Sequence, residues 1–255
     1  MSIRRSSARA AVVAAALCAA APVAQAAPIV FLGLDNAFMP SPRPNADAAR
    51  DAFVAAAGAA TLVTQDFESA ALGALPAGAS TGTFANGVGV TVDNTATDYL
   101  RVASGVGPFD TYPVSGSRYL ESLSAEGSTY FTASFDQPLR AIGFYITDAS
   151  DWIGTPGPIA PLVVSLTTLS GTFDFDLTGS VDPTTIVDGN VAFFGALSAG
   201  DPITSVAIAN PGSNPDEDAI GIDDVMVAVQ SVPVPQTLTL LGAGLALLGW
   251  GRRRA

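Results

Sequence analysis

The stretch TYFTASF, residues 129–135, alternates its side chains with a period of two. A second stretch, TFDFDL at residues 172–177, repeats this period with apolar residues at every other position and aspartates between them. A period of two is that of a β-strand with one face buried and the other in water. Both stretches therefore predict strands that cover one side of a hydrophobic core.

Residues 61–229 continue in the same way, as short segments rich in β-branched and aromatic residues with Gly, Pro, Asn and Asp between them. Closely spaced strands without long intervening helices are typical of a β-sandwich and not of an α/β fold. We therefore predict an all-β, jelly-roll-like β-sandwich. The predicted strands are Thr61–Phe67, Gly87–Val92, Tyr99–Val102, Arg118–Glu121, Ser128–Phe135, Ala141–Thr147, Leu162–Leu169, Thr172–Leu177, Val191–Leu197, Ser205–Ala209 and Gly221–Val229.

A short extension precedes the sandwich. Residues 28–34 are an apolar run that predicts an edge strand, and Asn45 is a candidate N-cap for an alanine-rich helix over residues 46–57 that Gly58 closes. An apolar stripe along this helix predicts that it packs on the main domain. The stripe consists of Ala49, Ala52, Phe53 and Ala56.

The first 26 residues have the three parts of a secretory signal peptide. Arginines at positions 4, 5 and 9 precede an apolar run over residues 10–21, and Ala24-Gln25-Ala26 supplies a small-x-small cleavage site. We predict cleavage after Ala26. The single cysteine, Cys18, lies within this segment, so the mature chain is expected to contain no disulfide and no thiol chemistry.

The stretch PVPQTLTLLGAGLALLGWGRRRA, residues 233–255, has three parts in a fixed order. Pro233, Pro235 and Gln236 form a hinge that stays extended. The apolar run over residues 238–250 would span about 20 Å as a helix, which is short of the ~30 Å hydrocarbon core. Arginines then favour the cytoplasmic face; they are Arg252, Arg253 and Arg254.

This order of parts resembles the PEP-CTERM sorting tail of exported bacterial surface proteins. Residues 232–238, beginning at Val232, carry the V-P-E-P frame, and residues 240–245 carry the glycine-spaced helix; Val234 replaces the glutamate of the family and Gln236 its usual alanine or serine. The resemblance implies transient insertion into the inner membrane and processing near residues 233–236 by an exosortase-type protease. It also implies delivery to the cell envelope, the cell surface or the extracellular matrix. A simple single-pass membrane anchor is the alternative.

The chain thus divides into a signal peptide (1–26), an N-terminal strand and helix extension (27–60), a β-sandwich (61–230) and a sorting tail (231–255).

Residues 27–230 hold all 23 acidic residues, against five arginines and no lysine or histidine, which gives a net charge of −18. A surface this acidic repels nucleic acid and anionic membranes. We therefore exclude nucleic acid as a partner.

Five carboxylates fall within the segment NPDEDAIGIDDV, residues 214–225. Calcium, which takes six to eight oxygen ligands, is the natural partner of such a group. Asp216, Asp218 and Gly221 match the start of an EF-hand loop, but Val227 stands where that loop needs its glutamate, so the segment is not an EF-hand. A solvated acidic turn is the open alternative.

Two motifs at the ends of the sandwich are similar to those of secreted jelly-roll domains, including carbohydrate-binding modules. They are DFE at residues 66–68 and IDDV at residues 222–225. In those domains the first and last strands lie side by side and share a structural calcium, which implies Glu68 and Asp224 as ligands, with Asp218 as a further one. Because Asp223 and Asp224 alternate faces on a strand, only one should face the shared site, and we expect Asp224.

The middle region, residues 118–148, also resembles the mature domains that accompany PEP-CTERM tails, with their G-x-R-Y-L and A-x-G-F-Y-x-T-D strands. Ile142, Phe144 and Ile146 alternate with Tyr145 and Thr147, so one set is expected in the core and the other at the surface.

A tryptophan, Trp152, follows this region beside Asp148 and Asp151. An exposed tryptophan next to carboxylates would suit the stacking of a sugar ring. A buried one would close the end of the sandwich.

The mature chain lacks the catalytic residues that most classes of enzyme need. Without histidine, cysteine or lysine there is no Ser-His-Asp triad, Cys-His pair, Ser-Lys dyad or common zinc site. Glycoside hydrolysis needs only two carboxylates, so a secreted carboxylate-based glycoside hydrolase is the alternative function. Its candidates are the four glutamates Glu68, Glu121, Glu126 and Glu217. We predict instead a non-catalytic surface or matrix protein, stabilised by Ca²⁺ and associated with exopolysaccharide.

Overall fold

The computed structural model describes residues 26–76, 80–93, 99–124, 129–149, 162–177, 185–209 and 218–230. The predicted signal peptide before residue 26, the predicted sorting tail and Trp152 lie outside these ranges, as do Glu126 and the Asp216–Glu217 pair.

Within the described residues the chain is almost entirely β-structure with one helix near its N-terminus, α1 (Pro44–Ala57), so the all-β prediction is confirmed. All strand pairs given by the backbone hydrogen bonds are antiparallel. The strands are β1 Ile29–Asp35, β2 Val63–Gln65, β3 Gly73–Ala74, β4 Ser80–Thr83, β5 Gly89–Asp93, β6 Tyr99–Ser104, β7 Arg118–Ser124, β8 Thr129–Thr147, β9 Val163–Thr168, β10 Thr172–Asp176, β11 Val191–Leu197, β12 Ile203–Ala209 and β13 Asp218–Val229.

Strand β8 joins two sheets. Its C-terminal half, residues 139–147, lies between β11 and β13 in sheet 1, whose order is β1-β11-β8-β13-β7-β6-β3, and β2 pairs with the end of β13. Its N-terminal half, residues 129–135, lies between β5 and β12 in sheet 2, whose order is β4-β5-β8-β12-β9-β10. The sequence predicted two strands here, Ser128–Phe135 and Ala141–Thr147, but they form one strand of 19 residues.

The main core lies between the two sheets. Sheet 2 contributes Phe131 and Leu166, and sheet 1 contributes Phe144, Phe194 and Ile222 to the same cluster of buried side chains. Sheet 2 leaves its other face in water, as its alternating burial along β9 and β10 shows. The period-two pattern that predicted half-buried strands is thus observed in sheet 2.

Helix α1 covers the opposite face of sheet 1 and forms a second core. Its Phe53 packs against Tyr145 and Phe193 in this cluster. The centre of sheet 1 is therefore buried on both faces, and every residue of β11 is buried. The expectation that one of the two alternating sets lies at the surface is wrong, because both sets are buried. Helix α1 packs over Tyr145, and Tyr112 binds the hydroxyl of Thr147.

Two glycines make room for the helix. Gly143 and Gly195 are register partners on β8 and β11, and the ring of Phe53 lies over both. A Cβ atom added at either position would come within 2.8 Å of that ring, closer than van der Waals contact allows. The missing side chains of this glycine pair therefore leave the space that the ring of Phe53 occupies.

The start of α1 is capped from another element. The helix begins at Pro44, and its flanking residue gives no side-chain cap. Instead the carboxylate of Asp35, at the end of β1, accepts hydrogen bonds from the backbone N–H groups of Asn45 (3.1 Å) and Ala46 (2.8 Å). The prediction of Asn45 as N-cap is wrong, because proline fits the first helical turn and a carboxylate from outside satisfies the free N–H groups.

The predicted stripe of α1 is also shifted. The helix buries Ala46, Phe53 and Ala57, whereas Ala52 and Ala56 are exposed. The described part of the chain contains no helix that is both long and apolar enough to cross a membrane.

Candidate functional site

The first and last strands of the sandwich are neighbours. Residues 63–65 of β2 pair with residues 225–227 of β13. This places Glu68, just beyond β2, and Asp224, on β13, against one loop over residues 114–118, which we call the 114–118 loop. The two carboxylates that the jelly-roll resemblance singled out therefore both contact this loop.

Glu68 holds the C-terminal part of the 114–118 loop. Its Oε1 accepts hydrogen bonds from the backbone N–H groups of Ser117 and Arg118, both at 2.6 Å, and its Oε2 accepts one from the Ser117 hydroxyl at 2.9 Å. These donors favour the ionised carboxylate, so the N–H groups of Ser117 and Arg118 lower the pKa of Glu68. Gly116 allows the close approach, since a Cβ there would lie 2.5 Å from Glu68 Oε1.

Asp223 holds the N-terminal part of the same loop. Its Oδ2 accepts hydrogen bonds from the N–H groups of Val114 (2.8 Å) and Ser115 (2.9 Å), and its Oδ1 accepts one from the N–H of Asp224 (2.7 Å). Asp223 is only 1% exposed. Asp224 is half-buried and accepts a hydrogen bond from the Ser115 hydroxyl at 2.7 Å.

The expectation that Asp223 and Asp224 face opposite sides is wrong. The register between β13 and β8 shifts between Asp223 and Met226, and Asp224 has a φ of 49°, in the left-handed region. A bulge of this kind interrupts the alternation of a strand. Both carboxylates therefore reach the 114–118 loop, and Asp223, which the sequence analysis passed over, is the more deeply buried.

Burial raises the pKa of Asp223 to about 7, although the N–H groups of Ser115, Asp224 and Val114 oppose the shift. A carboxyl whose pKa is higher in the folded than in the unfolded chain stabilises the fold through its protonated form. That contribution is fully present below the unfolded pKa of about 4 and is lost as the pH rises through about 7.

We therefore expect the free energy of unfolding to fall between pH 5 and pH 8, and the fall to be smaller in Asp223→Asn, whose side chain does not titrate. Denaturant unfolding of both proteins across this range measures the difference. Asp224→Asn also removes one carboxylate from the same strand, and it is the matched control for a general loss of charge repulsion in the acidic domain. Parallel pH profiles for wild type and Asp223→Asn would show that Asp223 does not titrate there.

Only two of the three predicted calcium ligands contact the 114–118 loop in the structure. Glu68 and Asp224 bind the 114–118 loop at residues two positions apart, whereas Asp218 begins β13 opposite Ser124 and its side chain is outside the description. Across the described ranges, no group of three or more carboxylate, histidine or cysteine side chains is arranged to hold a metal ion. The calcium site stays a prediction.

A second polar cluster surrounds Glu121, which is fully buried. Its Oε1 accepts hydrogen bonds from Arg101 at 2.8 Å and from the Tyr99 hydroxyl, and its Oε2 accepts one from the Tyr119 hydroxyl at 3.1 Å. The Arg101 guanidinium also lies 4.7 Å from the centre of the Tyr99 ring. With these three partners Glu121 is enclosed within the protein, and the arrangement is that of a structural ion pair.

Asp148, a residue of the predicted sugar site, is buried and ends β8. Its Oδ1 accepts a hydrogen bond from the N–H of Gly189 at 2.8 Å, and its own N–H donates to the carbonyl of Asn190 at 2.9 Å. Asp148 therefore ties the end of β8 to the residues that lead into β11. Asp151 and Trp152, the rest of that predicted site, lie outside the described residues.

Comparison with known proteins gives a distant likeness in structure alone. No family model matches the chain, and no curated protein matches it. The K2 cleaved adhesin domain of Lys-gingipain matches 67% of this chain and 99% of its own length at 17% identity, with a TM-score of 0.40. The K1 cleaved adhesin domain of Lys-gingipain from Porphyromonas gingivalis W83 matches 67% and 99% at 14% identity, with a TM-score of 0.36. Similarity at this level supports no inference about function.

Proposed function

We propose that this protein is an exported bacterial surface or extracellular-matrix protein with a non-catalytic, acidic β-sandwich that a PEP-CTERM-like tail delivers to the envelope. The observation that carries the proposal is the order of parts in residues 232–254. There a proline hinge, a glycine-spaced apolar run and three arginines follow one another in the register of that tail. The signal peptide over residues 1–26 supports export independently.

The end of the folded domain fits this arrangement. Strand β13 ends at Val229, and the N–H of Gln230 donates to the carbonyl of Pro138 at 2.9 Å. The hydrogen-bonded structure thus reaches Gln230 and precedes the hinge at Pro233. A processing enzyme at residues 233–236 would cut outside the sandwich, and the β-strands would not have to open.

The test of sorting is the C-terminus of the protein made in cells. We expect a strain with an exosortase-type protease to yield a chain that ends near residues 233–236, and a strain without it to yield the uncut tail in the inner membrane. Mass spectrometry of the C-terminal peptide, together with cell fractionation, measures both. Val234→Glu, which restores the residue of the family, should increase the cut fraction.

Two variants complete this experiment. Replacing Arg252, Arg253 and Arg254 together by alanine should reduce processing, because the arginines hold the end of the apolar run at the cytoplasmic face. Gln230→Ala, before the hinge, is the matched control and should be cut like the wild type. An uncut tail in every strain and variant would favour the simple membrane anchor.

We also propose that the sandwich is of the jelly-roll type and that calcium stabilises it through Glu68 and Asp224, with Asp218 as a further ligand. The pairing of β2 with β13 supports this, since it brings Glu68 and Asp224 to one loop. Because the resemblance includes carbohydrate-binding modules, the exopolysaccharide of the producing cell is the partner we propose.

Calcium is expected to raise the unfolding temperature of the protein relative to the same protein in chelator. A ligand that binds only the folded state at a thousand times its Kd stabilises it by about 4 kcal/mol. Asp224→Ala should abolish the shift, whereas Asp174→Ala, on the outer face of sheet 2, should keep it. Because residues 218–224 lie in β13 and Asp223 is buried, the solvated-turn alternative does not apply to them. Equal melting temperatures in chelator and in millimolar calcium would instead show that Glu68 and Asp224 bind only the 114–118 loop.

A further inference from the structure

A cavity opens between the two sheets, and no residue of the 114–118 loop lines it. Its walls are the buried faces of both sheets, with Phe131 and Ala133 from the N-terminal half of β8, Phe144 from its C-terminal half, and Ile222 from β13. The polar side chains among its lining residues are those of Gln65, half-buried at the end of β2, and Thr83, exposed at the end of β4, and we take these two to mark its mouth. The cavity is therefore a pocket with apolar walls and a polar rim.

The size of the pocket limits what can enter it. Its volume is about 60 Å³, and a single water molecule needs roughly 10–15 Å³ by the same measure. It holds a group of roughly four to six non-hydrogen atoms, with room for the remainder of a ligand beyond the mouth. An apolar space of this kind stays dry and favours an apolar guest. A short alkyl chain fits this description.

The charges around the pocket indicate which kind of polar group the ligand would carry at its other end, outside the apolar walls. None of the described residues that line the pocket carries a charge, and the surrounding mature domain has a net charge of −18. A carboxylate or phosphate would be repelled by the domain, and an ammonium group would find no carboxylate to pair with among the described lining residues. The amide of Gln65 and the hydroxyl of Thr83 can instead donate and accept hydrogen bonds with an uncharged polar group.

We propose that this pocket binds a neutral single-chain amphiphile, with its alkyl end between the sheets and its uncharged polar group at Gln65 and Thr83. This goes beyond delivery to the surface and does not depend on it. The site needs neither the sorting tail nor a metal ion, so failure of one proposal leaves the other untouched.

Calorimetric titration of the purified full-length protein with the linear alcohols from 1-butanol to 1-octanol tests the proposal. Each added methylene group should tighten binding about fourfold until the pocket is filled, after which the affinity should level off. The carboxylate of the same length as the best alcohol should bind more weakly. Absence of saturable binding, or equal affinity along the series, would overturn the proposal.

Two leucine variants on the same sheet locate the binding. Ala133→Leu places extra atoms in the pocket and should lower the affinity for 1-hexanol at least tenfold. Ala207→Leu lies on the other face of sheet 2, on the neighbouring strand, and should bind like the wild type. Because both proteins carry the same tail, alcohol that partitions into bound lipid or detergent contributes equally. Equal binding by both variants would place the alcohol elsewhere.

The polar rim provides a variant that keeps the walls intact. Gln65→Leu should lower the affinity for 1-hexanol and leave that for pentane unchanged, because only the alcohol uses the amide. This result does not depend on the folding of Ala133→Leu. If Ala133→Leu instead raises the unfolding temperature while wild type binds no alcohol, the cavity is a packing void and the proposal fails.

Discussion

Phe53→Ala is expected to lower the free energy of unfolding by about 3–5 kcal/mol, the range for truncating a fully buried phenylalanine. Phe53 is the anchor of α1, is 0% exposed, and lies with its ring centre 5.9 Å from that of Phe31 and 5.7 Å from that of Phe193. Its loss leaves a cavity over sheet 1 that the rigid strands cannot close. Equilibrium denaturation by urea measures the change.

Phe38→Ala is the matched control for Phe53→Ala. Phe38 is 57% exposed, and substitutions of exposed residues usually change stability by no more than about 0.5 kcal/mol. A loss in Phe53→Ala as small as that in Phe38→Ala would show that the helix does not contribute to the stability of the domain.

A substitution of Gly195 tests the contact between this glycine pair and the ring of Phe53 directly. Gly195→Ala in the wild type should destabilise the protein by about 1–3 kcal/mol, because its Cβ crowds the ring of Phe53. In the Phe53→Ala background the close contacts with Phe53 are gone and only the contact with the Phe193 ring at 2.9 Å remains, so the same methyl group should cost less. The double-mutant cycle measures this coupling, and additive effects would contradict the packing described for this face.

Glu121→Ala is expected to lower the free energy of unfolding by about 3 kcal/mol. Removing one member of a buried ion pair leaves its partner without compensation, which costs about 3–5 kcal/mol when both are buried. The lower end applies here because the Arg101 side chain is 37% exposed while that of Glu121 is 0% exposed. Urea denaturation again measures the effect.

Two further proteins separate this loss from a general effect of charge. Asp51→Ala breaks the Arg50–Asp51 pair, whose side chains are 43% and 67% exposed, and should change stability by less than about 1 kcal/mol. The double replacement of Glu121 by leucine and Arg101 by methionine should recover part of the loss, since neither charge then remains unpaired. Equal losses of unfolding free energy in Asp51→Ala and Glu121→Ala would show that the buried Glu121–Arg101 pair contributes no more to stability than an exposed pair.

Local patterns in the sequence were sufficient to predict most of the strands, because period-two alternation depends only on which side of a strand is buried. Strands β9 and β10 follow it, and the predicted Val191–Leu197 strand has the same bounds in the structure. The patterns did not show that β8 runs on through Pro138, since proline usually marks an interruption. Nor did they predict β3 and β4, which have only two and four residues.

The candidate site was predictable only where a resemblance supplied the pairing of distant segments. Glu68 and Asp224 were named through the neighbouring first and last strands of jelly-roll domains. The bulge after Asp223 had no signal in the sequence, because no glycine marks its left-handed residue. The contacts of Asp35 with α1 and of Glu121 with Arg101 join residues far apart in the chain, and no local pattern encodes them.

The antiparallel order of sheet 1 also fixes which end of the molecule would point outward. Strand β1 begins and β13 ends at the same end of the sheet, because β1, β11, β8 and β13 alternate in direction. A domain tethered to a membrane beyond Gln230 would keep that end near the lipid. The opposite end would face the surroundings of the cell, and it carries Asp35, Asp148 and the approach to β11 from Asp188. Asp35 and Asp148 at that end are buried and bind backbone N–H groups, so they hold the start of α1 and the approach to β11 in place. The end turned away from the lipid would therefore be one whose loops are tied to the sheet.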